Sequence, residues 1–367
     1  RPSPPLSDVI SRFPRRLRMA LLAWGQSSPK ARDIMVAFPY AAASIAARRG
    51  LPQNRGEAMW RIEEGRTLKA VAEALDIPAW TRRIPPESSD FGLPDRLGFE
   101  EPEDGLHTQL AKRLPAKPGP ARRWLAGLSN VGARSDWAFA MDYADGLATG
   151  RMPVHPCPRL WCAFAYFSAR PETVAGRRIE RPWQPGFSAG RLSEQALDWF
   201  CALVETDLTA RPAHNLPTTL TLGNCVFKRL TRLRDLRAEA LAMRNCIDRY
   251  WMKALGGHSL IFGVADTSGR RATLEVRRQR RGSGLYINDI KGPGNQTVDR
   301  RLAQAAEIFV STHAEALAEA FRVIAAPAPT QAWQSIWTPY WGAYGEETGI
   351  PLTPGQLEIA ALASECR

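Results

Sequence analysis

The sequence has no long hydrophobic run, and this absence excludes a membrane-spanning helix. None of its apolar stretches reaches the roughly 18 residues that such a helix needs. The basic stretch near the start of the chain contains only the short apolar piece "MALLAW", without a clear small-residue cleavage site after it. We therefore expect a cytoplasmic protein that makes no contact with a membrane.

Cysteine is also scarce and scattered, with six in 367 residues, mostly between apolar neighbours. Such thiols are typical of small buried side chains in a reducing compartment. Cys157 and Cys162, with His155 just before them, have no second cluster at a spacing suited to zinc. The tryptophans show no fixed period that would indicate a repeat. We expect no metal, no cofactor and no repeat architecture.

Positive charge, in contrast, is abundant. Forty-nine Lys and Arg face 37 Asp and Glu, which gives a formal charge of +12 and a pI near 9.8. Most of the positive charge is arginine, whose planar guanidinium suits phosphate. The balance favours a polyanionic partner such as DNA or RNA, bound through its backbone. A high genomic GC content, which also enriches arginine, remains the alternative explanation.

The pattern of prolines and apolar positions predicts a mainly helical chain with one small α+β domain. Four segments follow from it: an N-terminal helical region (1–115), a second helical region with a Pro/Arg-rich linker (116–220), the α+β domain (221–325) and an aromatic-rich C-terminal tail (326–367). In the first segment, "SPKARDIM" offers a Ser-Pro helix start, Pro39 an interruption and Gly50 a stop.

A helix-turn-helix is one interpretation of "TLKAVAEALDIPAWTRRIPP". Asp76 stands where such a motif usually has a turn glycine, and Pro85-Pro86 would end the second helix after about two turns. A recognition helix needs more length than that to lie in the major groove. Two packed helices with an arginine-rich rim at Arg82 and Arg83 are therefore the preferred interpretation.

The region from 231 to 255 has one apolar stripe with steps of three and four, which predicts one long helix that ends at Gly256-Gly257. Cys246 lies one position off this stripe, with Tyr250 one turn further on. Asn245 and Arg249, also one turn apart, make that edge of the helix polar and able to form hydrogen bonds. A thiol in such a position is expected to be partly exposed.

Three strand-like segments follow: "SLIFGVA", "RATLEVRR" and "GLYINDI". Turn residues in "DTSG" predict a hairpin between the first two. We expect a three-stranded antiparallel meander packed on the preceding long helix, with Ala272, Leu274 and Val276 on one face. Thr273 and Glu275 should then lie on the other face.

A bend, "KGPGN", leads from the third strand to a helix expected to start near Thr297. Free N–H groups at a helix start attract anions. Four residues of this bend form the predicted anion site: Lys291, Gly292, Gly294 and Asn295.

These segments together resemble the PcfJ-like family of conjugative plasmids, prophages and related mobile elements. The resemblance spans residues 225–325 and rests on Cys246 with Tyr250, on "ATLEV" with Glu275, and on "IKGPGN". Family members often have histidine where this chain has Asn245, and arginine where it has Ala265. The resemblance implies a helix packed on a small sheet and a mobile-element setting.

Two functions are weighed. The first is nucleic-acid association, by the anion site and by the Arg-rich hairpin tip Arg277, Arg278, Arg280 and Arg281. The tip is otherwise simply a solvated loop. The alternative function is a cysteine-dependent hydrolase or transferase.

In the enzyme hypothesis, Cys246 is the nucleophile and Tyr250 lies beside it. Glu275, and with it His258, supplies or orients a base. The alternative for Cys246 is a half-buried packing residue, with Glu275 in a salt bridge to arginine.

The C-terminal segment "WQSIWTPYWGAY" places five aromatic side chains between Trp333 and Tyr344. It either docks a protein partner or closes over the protein's own core, and core closure is the preferred interpretation.

Overall fold

The computed structural model describes residues 4–94, 97, 105–153, 157–204, 216–255, 257–269, 271–279, 284–324, 330–353, 361–362 and 364–366. The chain forms two compact units. One consists of Arg1–Tyr166 with Pro182–Leu192, and the other of Phe167–Arg181 with Ser193–Arg367. Among the described residues, no helix is long and apolar enough to cross a membrane.

The first part of the chain is helical. Its helices are α1 (Leu6–Ser11), α2 (Arg15–Ser27), α3 (Pro29–Ala37), α4 (Pro39–Ala46), α5 (Pro52–Glu63), α6 (Leu68–Ala74), α7 (Leu106–Arg113), α8 (Pro118–Val131), α9 (Trp137–Thr149) and α10 (Arg159–Ser168). Short 3-10 helices lie at Ala79–Arg83 and Pro86–Ser88.

The structure confirms the helix start that the sequence predicts at Ser28-Pro29. The Ser28 hydroxyl caps α3 by accepting from the N–H of Ala31 at 3.1 Å, and Pro29 occupies the first helical position. Asp76 adopts the left-handed φ of 52° that a turn glycine would otherwise supply. The element after it is a five-residue 3-10 helix, too short for a recognition helix in the major groove.

The second part of the chain combines helices with a sheet. Its helices are α11 (Ala189–Leu203), α12 (Leu233–Met243), α13 (Trp251–Leu255), α14 (Arg300–Thr312), α15 (Ala314–Ile324) and α16 (Thr330–Tyr344). Further 3-10 helices lie at Gly176–Arg178, Ile247–Tyr250, Pro293–Asn295 and Glu346–Thr348. The strands are β1 (Thr219–Leu222), β2 (Cys225–Arg229), β3 (Leu260–Asp266), β4 (Arg271–Arg278) and β5 (Leu285–Lys291).

The sheet has five antiparallel strands in the order β1-β2-β3-β4-β5, so the predicted three-stranded meander is wrong in its extent. The hairpin β1-β2 precedes α12 and pairs with β3, with Phe227 opposite Val264. Its strands are only four and five residues long, and β1 is half exposed. A periodicity that short does not separate a strand from a loop.

Both faces of β4 are covered, by different elements. Ala272, Leu274 and Val276 share one face, as predicted, in a core to which α14 and α15 contribute Phe309 and Leu317. The preceding helix therefore does not cover the apolar face. Instead α12 lies on the opposite face, where its Glu239 contacts Thr273 of β4.

The single long helix predicted from 231 to 255 is broken. Arg244 ends α12 in the left-handed conformation, at φ 51° and ψ 48°. The Asn245 side-chain oxygen then accepts the N–H of Ile247 at 3.2 Å, an alternative to the helical bonding pattern. The apolar period survives the break because Met243, Ile247 and Trp251 are all buried.

The aromatic segment of α16 is part of the core of its unit. Trp333, Trp337 and Tyr340 are each at most 1% exposed, and Trp337 meets Phe167 and Trp199 at ring distances of 5.7 and 5.9 Å. Burial of these rings leaves little of the segment for a protein partner, which favours the core-closure interpretation.

Candidate functional site

The polar face of the sheet positions the candidate site. The strand registers place Lys228, Gly263, Thr273 and Lys291 in one row across β2, β3, β4 and β5, and side chains paired in this way point to the same face. The next row brings Glu275 opposite Asp289. Charged and hydroxyl groups are therefore concentrated on this face.

Gly263 lets α12 approach the sheet. A Cβ at this position would lie 3.2 Å from Oε1 of Glu239, closer than ordinary side-chain contacts. The carboxylate of Glu239 accepts from Arg271 at 2.6 Å and from the Thr273 hydroxyl at 3.5 Å. The Asn245 amide donates to the same hydroxyl at 3.2 Å, so one network fixes the segment that follows α12.

Glu275 is the most buried acid of this face, at 3% exposure. Its Oε1 accepts from the Ser259 hydroxyl and from Nε of Arg277 at 2.7 Å. Its Oε2 accepts from the Asn288 amide at 2.7 Å. Asn288 can reach it because the β4-β5 pairing shifts between Glu275 and Val276, which leaves Asn288 as the extra residue of a bulge.

These contacts determine the ionisation of Glu275. Burial opposes the charged form, but hydrogen bonds from Ser259, Arg277 and Asn288 and the charge of Arg277 outweigh it and hold the pKa below its ordinary value. The carboxylate is thus ionised, and both of its oxygens are occupied. This arrangement suits a positioning group better than a proton acceptor.

A cavity that is open to solvent lies over this carboxylate. The segment after α12 forms one wall, and β4, β5 and the 3-10 helix after β5 form the others. The lining residues are Asn245, Cys246, Ile247, Tyr250, Thr273, Glu275, Asp289, Lys291 and Asn295. Burial, together with the negative charges of Glu275 and Asp289, raises the pKa of Tyr250.

The predicted catalytic residues are only partly brought together. Cys246, Tyr250 and Glu275 line the cavity, whereas His258 is exposed and is not one of its lining residues. His258 follows Gly257, whose φ of 67° turns the chain out of α13. None of the histidines in the described part of the chain lines the cavity, so the described geometry does not supply the thiol with an imidazole base.

The predicted phosphate-binding residues are also divided. Arg277 is paired with Glu275, Arg278 is exposed, and Arg280 and Arg281 lie outside the described residues. Lys291 reaches Asp289 at 3.4 Å.

The predicted anion site at a helix start is wrong in its position. The helix begins at Arg300 and not near Thr297, and the Asp299 carboxylate caps it by accepting from Arg301 at 2.8 Å. A negative charge already occupies this helix terminus, which makes it unsuited to an anion. Gly294, at φ 65°, and Asn295, at φ 60°, form the turn before it, and Gly292 is buried.

Sequence reasoning missed Ser259, Asn288, Glu239 and Asp289. Gly263 inside a strand was the available signal for a close approach, here by Glu239. Nothing in the sequence indicates the bulge that aims Asn288. Within the described chain, no group of three or more His, Cys, Asp or Glu side chains could hold a metal ion.

Thiol labelling tests the geometry of this segment. Cys246 is exposed and the other five cysteines are buried. We expect Ellman's reagent to titrate about one thiol rapidly in the native chain, because a buried thiol is shielded, and all six after denaturation. Cys246→Ser should remove the fast reaction, whereas the control Cys157→Ser should keep it. A fast reaction that survives Cys246→Ser would contradict the placement of this thiol.

The comparisons with known proteins identify no relative of this chain. No protein-family model, no curated protein and no solved structure matches the chain.

Proposed function

We propose that the second unit binds nucleic acid through its phosphate backbone. The concentration of charge around the candidate site carries this proposal. From Lys228 to Arg301 the sequence has seventeen Lys and Arg and only seven Asp and Glu, an excess of ten in a chain whose total is +12. A local field of this kind attracts polyanions and speeds their encounter.

Most of these basic side chains are exposed to solvent. Ten of the described ones are exposed: Lys228, Arg232, Arg234, Arg244, Arg249, Lys253, Arg271, Arg278, Arg300 and Arg301. Lys228 and Arg271 lie on the polar face of the sheet, and α12 with its following segment carries those from Arg232 to Lys253. The basic surface, defined as these ten residues, includes the segment after α12 that forms one wall of the cavity, and also side chains of β2, β4 and the start of α14.

The resemblance to the PcfJ-like family supports a mobile-element setting for such binding. That setting rests on the motifs of residues 225–325 alone. The charge distribution is independent of the resemblance, so the binding proposal stands without it.

Neutralising part of the basic surface should weaken binding in a salt-dependent way. We expect the triple variant Lys228→Gln, Arg234→Gln, Arg278→Gln to reduce the slope of log affinity against log salt by about 3, because each lost phosphate contact reduces it by about 1. Affinity at low salt should fall at least about tenfold. Fluorescence anisotropy with a labelled oligonucleotide over a salt series measures both.

A matched control removes the same charge elsewhere. Arg15→Gln, Lys69→Gln, Arg82→Gln replaces one lysine and two arginines that are exposed in the first unit. We expect a change of less than twofold, close to the wild type. Equal losses in the two triple variants would mean that net charge alone drives binding, and an unchanged first variant would contradict the proposed surface.

A cysteine-dependent enzyme is the second candidate, and one observation favours it. Cys246 is the exposed thiol of the chain and lines a cavity with Tyr250 and Glu275. Cys246→Ser separates the two functions. It should leave salt-dependent nucleic-acid binding unchanged if the first is right, and should abolish turnover of a thiol-dependent substrate if the second is right.

A further inference from the structure

The cavity combines an apolar, aromatic wall with polar groups that can both donate and accept hydrogen bonds. Ile247 and Tyr250 contribute the apolar and aromatic surface. Asn295 contributes an amide, Lys291 an ammonium group and Asp289 a carboxylate, and none of the three is fully buried. A site of this composition suits a planar heterocycle that is apolar on its faces and polar at its edge.

We propose that the cavity receives one unstacked base of a single-stranded nucleic acid, an inference that rests on the proposed function and names its substrate class. Proteins that bind single strands combine a positively charged path for the backbone with aromatic side chains on which bases stack. Exposed bases are in addition read at their edges by polar side chains. The basic surface supplies the first requirement, and the cavity supplies the other two.

The positive charges next to the cavity are placed for the phosphates on both sides of such a base. Arg244 lies two residues before Cys246, and Arg249 and Lys253 follow it three and seven residues later; all three are exposed. Nζ of Lys253 lies 4.2 Å from the centre of the Tyr250 ring. An ammonium group that close to an aromatic face is attracted to it electrostatically, which keeps a positive charge at the Tyr250 ring.

Entry of a base into the cavity distinguishes a single strand from a duplex. In duplex DNA the bases are stacked and paired, and a protein meets only their edges in the grooves. A base can enter the cavity only after it has left the stack, which costs a few kcal/mol in a duplex and least in a single strand. The site therefore favours the single strand, while the basic surface by itself attracts both.

The experiment compares full-length wild type and variants on short oligothymidylate and on a duplex of equal length, at matched salt. Tyr250→Ala removes the ring and should weaken single-strand binding about tenfold, the effect of losing one stacked base. Tyr250→Phe keeps the ring and should stay within twofold. Tyr286→Ala is the matched control, because Tyr286 is an exposed tyrosine of the same sheet that does not line the cavity. Duplex affinity should be unchanged in all three variants.

A change in the ligand tests the same point without altering the protein. An abasic oligonucleotide keeps the phosphates and loses the bases, so it should bind wild type about tenfold more weakly than oligothymidylate and be insensitive to Tyr250→Ala. Equal affinity for the abasic and base-bearing strands would overturn the inference and leave the proposed function intact. Absence of salt-dependent binding to any nucleic acid by wild type would overturn the proposed function, and the inference with it.

Discussion

Replacing Glu275 by alanine is expected to lower the free energy of unfolding by about 1–3 kcal/mol, because it removes the buried acceptor of three side-chain hydrogen bonds. Glu275 is 3% exposed, and its carboxylate accepts from Arg277, Ser259 and Asn288. Without it, Arg277 loses its counter-charge, and the buried Ser259 hydroxyl and the Asn288 amide lose their acceptor. Urea unfolding followed by tryptophan fluorescence measures the loss.

The control for this variant is Asp289→Ala. Asp289 lies opposite Glu275 in the sheet, but its side chain is 46% exposed and its Lys291 partner is 45% exposed. A solvent-exposed pair of this kind contributes at most about 1 kcal/mol. If the two alanine variants are equally stable, the network around Glu275 does not stabilise the fold as we infer.

The same carboxylate makes stability depend on acid pH. Its pKa is lowered in the folded chain from an ordinary value of 4.5. A lowered pKa contributes stability that is complete above the unfolded value and is lost as the pH falls through the folded value. Wild type should therefore lose more stability than Glu275→Ala as the pH is lowered below about 4.5. Urea midpoints at pH 7 and along this acid range compare the two.

Phe309→Ala is expected to lower the free energy of unfolding by about 3–5 kcal/mol, through the apolar face of the sheet. The Phe309 ring is fully buried and stacks on Phe227 with centres 4.0 Å apart. It also meets Phe262 edge-on at 5.2 Å. Truncation leaves a cavity between α14 and two strands that cannot close without moving the helix.

Thermal unfolding checks this variant against its neighbour in the same helix. Ile308 is 47% exposed, so Ile308→Ala should cost less than about 1 kcal/mol. A small loss for Phe309→Ala would mean that α14 does not hold the sheet in the way the rings indicate. Phe309→Leu, which retains much of the buried volume, should fall between the two alanine variants.

The PcfJ-like resemblance and the positive charge both indicated residues 225–325 as the functional region. The arrangement of helices and strands within that region was predicted only in part. Alternation in "RATLEV" predicted the two faces of β4 correctly, because a strand has a side-chain period of two whatever packs on it. The same periodic reasoning joined α12, the 3-10 helix at Ile247–Tyr250 and α13 into one helix. The break at Arg244 preserves the order of buried positions, so it leaves no trace in the apolar pattern.

The sequence predicted some of the residues that line the candidate site, but it did not predict the partners that hold them in place. Cys246, Tyr250 and Glu275 were selected from their positions, and they do line one cavity. The partners that fix Glu275 come from the start of β3 and from a bulge in β5. Neither location follows from spacing, because the register of two strands depends on the packing of the whole sheet.

By itself, the sequence determined the composition of the two sheet faces, the capped helix starts such as Ser28-Pro29 and the excess of positive charge between Lys228 and Arg301. These depend on local periodicity, local hydrogen bonds and covalent composition. Only the tertiary structure decided that Glu275 is ionised and fully bonded, that His258 stands apart from Cys246, and that Asp299 and not a ligand caps α14. Distances between segments far apart in the chain are set by packing, which no single segment encodes.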